Sequence, residues 1–162
     1  MTNASVGERV DRPAMAAGVP ARAADRTMRL AAAVVLALLF VQFLLGMFVN
    51  LYVQIPQFHA GNSPGMGSMM PRITNPALWA HMMLGMFIAL AAIWGVIAAI
   101  FTGRGAAIAL AAAGFVSVLV AGYGGISFLM FGQNDVASYL MAVGFLCAFT
   151  AYFAVLAVRP AP

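Results

Sequence analysis

Residues 77–101 read ALWAHMMLGMFIALAAIWGVIAAIF, an apolar run without one Asp, Glu, Lys or Arg. At 1.5 Å rise per residue it makes about 37 Å of helix, enough to cross a hydrocarbon layer of about 30 Å. Three more runs of this kind lie at about 30–53, 106–130 and 137–158. Backbone polar groups in lipid must be satisfied within the protein, so spanning structures are helices or closed barrels. Barrel strands alternate over about ten residues with polar lumen positions, and these runs do not. The expected fold is therefore all-α: a transmembrane four-helix up-down bundle over residues 28–162. The stretch 1–27, rich in Ala, Arg, Gly and Pro, reads as a cytoplasmic tail, disordered or a frayed amphipathic piece.

Composition agrees. The chain of 162 residues is 64% apolar and 7% charged, with a mean hydropathy of +0.99, far from a soluble domain. Its basic residues are all arginines, and they report topology, not nucleic-acid binding. In a four-span arrangement Arg9, Arg12, Arg22, Arg26, Arg29, Arg104 and Arg159 fall on one side, and Arg72 alone on the other. The positive-inside rule then puts both termini in the cytosol, with 54–76 and 131–136 facing outward. The Ala/Arg bias and the short, membrane-only design point to a bacterial cytoplasmic membrane. Glu8, Asp11 and Asp25 interrupt the tail, and the first run is too long for a signal-peptide core. The lone cysteine, Cys147, excludes an intramolecular disulfide and reads as a small buried apolar residue.

Local signals set the element ends. Asn75-Pro76 is a cap followed by proline at the first helical position. Gly103-Arg104-Gly105 makes a tight turn, and Asn134 or Asp135 caps the last run. Gly85, Ala92, Gly95 and Ala99 form one stripe of small residues; Gly114, Ser117, Ala121 and Gly124 form another. Helices in lipid associate where backbones approach closely, so both stripes should face the interior. Trp79, Tyr52 and Tyr139 read as an outer aromatic belt, Trp94 and Tyr152 as an inner one.

Few side chains can carry chemistry. His81 lies near the outer third of its span on the small-residue stripe, with Gly85 one turn deeper. An intramembrane ionisable group is a functional candidate by default. A histidine with glycine beside it suits the Nε2 ligation of a flat macrocycle such as haem; equally, it suits a hydrogen bond linking two helices. Met141 reaches a similar depth and would complete a His/Met iron pair, with a five-coordinate iron on His81 as the alternative. Gln42 and Asn50 flank Gly46 and are placed to hydrogen-bond across helices or to hold polar groups of a lipid-like cofactor. In the outer loop His59, Met66, Met69 and Met70 offer one imidazole and three thioethers, a donor set for Cu(I). No paired carboxylates, phosphate-cradling loop or Ser/His/Asp set can be assembled, so enzymatic activity is not expected.

The combination of Gln42-x3-Gly46, the segment 45–50 (LGMFVN), His59-Ala60-Gly61 after Pro56, and His81-x3-Gly85 resembles one four-helix half of the haem A synthase family. The likeness covers about residues 40–90. It implies that His81 corresponds to the haem-ligating histidine opening that family's second span. The family carries eight spans in two halves, against four here, and a fourth-span histidine where this chain has Met141. An acidic residue precedes the family's second-span histidine; Leu78 and Trp79 stand there instead. A homodimer would rebuild the two-half arrangement.

Three readings follow. The chain is a b-type haem-binding or haem-handling protein of the respiratory membrane, or a non-catalytic accessory or assembly subunit with a membrane-protein partner. The third is copper handling through the outer loop. The lipid bilayer is a partner in all of them, and nucleic acid in none.

Overall fold

The computed structural model describes residues 18–54, 75–131 and 133–158. These fold into four helices: α1 Gly18–Tyr52, α2 Pro76–Phe101, α3 Gly105–Met130 and α4 Asp135–Ala157. All four are long and apolar enough to cross a membrane, the architecture of a multi-pass membrane protein. No strand occurs among the described residues.

Three helices match the apolar runs to within two residues at either end. α1 differs. It begins at Gly18, so residues 18–27, expected as a disordered or frayed amphipathic tail, continue the first helix. Arg22, Asp25 and Arg26 are polar, but the stretch is alanine-rich and contains no residue that breaks a helix once past Pro20. Proline is tolerated in a first turn, where the missing N–H has no partner to lose. Hydropathy marks the part of a helix in lipid, not the point where the helix ends.

The caps follow the sequence. Asn75 accepts from the Ala77 amide at 2.9 Å, with Pro76 in the first turn. Asn134 accepts from the Ala137 amide at 2.7 Å, so Asn134 is the cap, and Asp135 sits in the first turn beside the positive end of the helix dipole. Between α2 and α3, Gly103 takes a φ of +65°, a left-handed conformation that glycine enters without a Cβ clash.

The helices pack in a ring. α3 lies most extensively against α4 and α1 against α2, with α2–α3 and α1–α4 closing the circuit. Small residues set the spacing, as their stripes require: Ala92, Ala99, Gly95, Gly114 and Gly124 are buried. The tightest approach is at Gly144, where an added Cβ would stand 2.6 Å from the Ala121 nitrogen and 2.8 Å from the Ser117 oxygen. The outward faces carry large apolar side chains such as Phe40, Leu51, Leu90, Phe101 and Leu146, each more than half exposed. Such faces suit contact with acyl chains.

One end is tied by charge. Asp25 of α1 meets Arg104 of the α2–α3 turn at 2.9 Å. One turn on, the Arg29 guanidinium donates to the carbonyls of Leu156 (2.8 Å) and Val158 at the end of α4. The last carbonyls of a helix have no intrahelical donor, so a guanidinium from α1 satisfies α4 and joins two helices at once. The same end holds Met28, Ala31, Ala32 and Val35, each no more than 1% exposed.

Candidate functional site

The hydrophobic core is divided. A long cluster runs from Met28 to Leu39 on α1 and from Ile88 to Ala99 on α2, with matching stretches of α3 and α4. A small second cluster centres on Val49 and Leu78. On α1 the interval between the clusters holds Gln42 and Gly46; on α2 it holds His81 and Gly85. This interval is the polar layer of the bundle.

Glycine makes room for it. A Cβ on Gly46 would lie 3.0 Å from His81 Cε1 and 3.5 Å from Nδ1, so the imidazole rests directly on α1. Gln42, one turn earlier, places its Nε2 3.2 Å from His81 Nε2 and 3.1 Å from the His81 carbonyl oxygen. A carbonyl only accepts, so the amide must present its NH2 group there. Its second hydrogen then faces His81 Nε2, which has to accept. The imidazole is therefore neutral, with its proton on Nδ1. Both hydrogens of one amide hold α2 to α1.

Two atoms stay unsatisfied. His81 Nδ1 and Gln42 Oε1 are buried without a hydrogen-bond partner among the described residues. In an apolar setting each such atom costs on the order of 1–3 kcal/mol. They are complementary, one a donor and the other an acceptor.

Of the residues singled out in the sequence, the structure brings together His81, Gln42 and Gly85; a Cβ added at Gly85 would stand 3.5 Å from the Gln42 nitrogen. Met141 belongs to α4. It packs in the α3–α4 seam, its Sδ 3.6 Å from a Cβ placed on Gly125 and its Cγ 3.0 Å from one on Gly124. His59, Met66, Met69 and Met70 lie outside the described residues. Asn50 is exposed on α1 and does not join Gln42, because the eight-residue separation turns it towards the lipid side of the helix.

Haem does not suit this geometry. An axial ligand offers iron the Nε2 lone pair, which here accepts from Gln42, and the ring edge is already closed on Gly46. As packed, the layer does not fit an iron porphyrin on His81. Among the described residues, moreover, no three His, Cys, Asp or Glu side chains gather in one place.

Two residues depart from their sequence reading. Tyr152, expected in the inner aromatic belt, is 1% exposed. Its ring fills a slot between Gly114, where a Cβ would stand 2.7 Å from Cε2, and Gly95 with Ala31. Glycines on two facing helices were the available signal: they leave a space that one large side chain on a third helix has to fill. Its hydroxyl, too, is buried without a partner among the described residues. Cys147, expected to be buried, is exposed on the outer face of α4, one residue before the buried Ala148.

Compared with models of known families, with characterised proteins and with solved structures, the chain finds no match.

Proposed function

We propose that this chain is a non-catalytic accessory or assembly subunit of a larger membrane complex, held in a bacterial cytoplasmic membrane as an up-down bundle with both termini in the cytosol. The observation that carries the reading is the Gln42–His81 pair: the one imidazole among the described residues is engaged in joining α1 to α2. Two charged groups at the other end of the bundle behave alike. Arg29 joins α1 to α4, and Asp25 joins α1 to the turn before α3. The chemistry-bearing side chains thus hold helices together, which leaves the outward faces for function.

Up-down topology is supported by the partners in these contacts. The start of α2 meets the late part of α1, and the end of α4 meets the early part of α1. The arginine asymmetry supports the orientation.

The test is the native size of the chain after mild solubilisation of its own membrane. It should migrate in an assembly larger than its dimer, and His81→Ala should lower its abundance there without changing any visible absorbance. Migration as a lone monomer or homodimer would overturn the reading.

Haem handling at His81 is the second reading, brought by the resemblance to the haem A synthase family. It requires Gln42 to turn away. A Soret band in the purified protein, lost in His81→Ala, would establish it over the first.

A further inference from the structure

The outward face of α1 changes character without changing direction. Arg22, Arg26, Leu30, Ala33, Ala37 and Phe40 are all exposed at spacings of three and four, which places them on one stripe. The stripe begins with two guanidinium groups one turn apart and continues as apolar surface, with Leu30 56% and Phe40 57% exposed. Ala33 and Ala37 stand between these two large side chains, so the apolar part dips where they lie.

The charges on this stripe are not neutralised within the described residues. The nearby carboxylate, Asp25, is 8% exposed and faces inward to Arg104. Arg29 turns the other way, onto the end of α4. Arg22 and Arg26 therefore stand at the point where the chain passes from its apolar span into its polar overhang, and neither has an acidic partner among the described residues.

We propose that this stripe is a binding site for one anionic phospholipid, with the headgroup phosphate between Arg22 and Arg26 and the acyl chains along Leu30, Ala33 and Ala37. Guanidinium pairs present several N–H donors to phosphate oxygens. The apolar helix beneath them matches what a phospholipid carries beneath its phosphate, and the two alanines leave room for an acyl chain to lie close to the backbone. A free inorganic phosphate would have no use for the apolar part. The inference relies on the membrane-spanning reading and is independent of what the Gln42–His81 layer does.

Native mass spectrometry of the full chain, released from mixed micelles of phosphatidylglycerol and phosphatidylcholine, tests it. The wild type should retain phosphatidylglycerol in preference. Each arginine contributes about fivefold, so Arg22→Gln with Arg26→Gln should remove most of the preference. Arg22→Lys with Arg26→Lys should keep part of it, and circular dichroism should show all variants equally helical. Equal retention of both lipids by the wild type, or an unchanged preference in the glutamine variant, would overturn the proposal. So would displacement of the lipid by millimolar inorganic phosphate beyond what chloride achieves at equal ionic strength.

Discussion

A methyl group added at Gly144 has nowhere to go, because both atoms it meets, the Ala121 nitrogen and the Ser117 oxygen, belong to the backbone of α3. Backbone cannot rotate aside as a side chain can. Gly144→Ala should therefore push α3 from α4 and cost about 1–3 kcal/mol or more, read as a loss of unfolding midpoint in micelles. Gly122, by contrast, has nothing within 4 Å of its would-be Cβ. Gly122→Ala should be neutral or stabilise by up to about 1 kcal/mol, the helix-propensity difference. If the two substitutions prove equally costly, the close α3–α4 approach is wrong. The polar layer is tested at the same scale by a double-mutant cycle. Gln42→Leu leaves the imidazole Nε2 unpaired, whereas His81→Phe takes one of the amide's two acceptors and leaves it the residue-81 carbonyl, so the first should cost more than the second. Their coupling should be of the order of 1 kcal/mol, and additive effects would show that the two side chains do not act as a pair.

At the scale of elements, the runs of apolar residues located three helices almost to the residue, since a span's length and its caps are both local properties. The beginning of α1 was not legible, because Arg22, Asp25 and Arg26 lower hydropathy without opposing helix formation. The same limit applied to the site. His81 and Gln42 could each be picked out as a polar group in an apolar span, but their pairing depends on the register between α1 and α2. Register is decided by Gly46 receiving the His81 ring and Gly85 facing the Gln42 amide across the seam, a tertiary matter that spacing along one helix does not contain. For that reason Gln42 was grouped with Asn50 by their places about Gly46 on one helix, and His81 with Met141 by depth. Tyr152 was misplaced similarly: its hydroxyl suggested an interface, while Gly95 and Gly114 on two other helices hold it inside. The α1–α4 tie gives a test at this level. Arg29→Met keeps much of the apolar stem but strips the donors from the Leu156 and Val158 carbonyls. It should destabilise by about 1–2 kcal/mol and speed amide exchange over residues 154–158 more than over α2. Uniform acceleration along the whole chain would mean that Arg29 does not hold that end.

For the whole molecule the helix lengths and the charges have to agree on where the membrane lies. α1 has 35 residues and α4 has 23, about 52 Å and 35 Å of helix. The excess of α1 cannot be accommodated in a hydrocarbon core of about 30 Å, so one end of it must project. The projecting end is the N-terminal one, since Asp25 and Arg29 sit level with the α2–α3 turn and the close of α4. It is there that Arg22, Arg26, Arg29 and Arg104 collect, so the projecting end is also the one that the proposed orientation, by the positive-inside rule, puts in the cytosol. Fusions separate the alternatives cleanly. A fluorescent reporter that folds only in the cytosol should be bright when inserted at Gly103 or attached after the last residue. A phosphatase that needs an oxidising compartment should be active only when inserted at Gln133. Phosphatase activity at Gly103 would invert the bundle and place the arginine stripe in the outer leaflet. The lipid site would then have to draw on that leaflet, while the packing of the four helices would be unaffected.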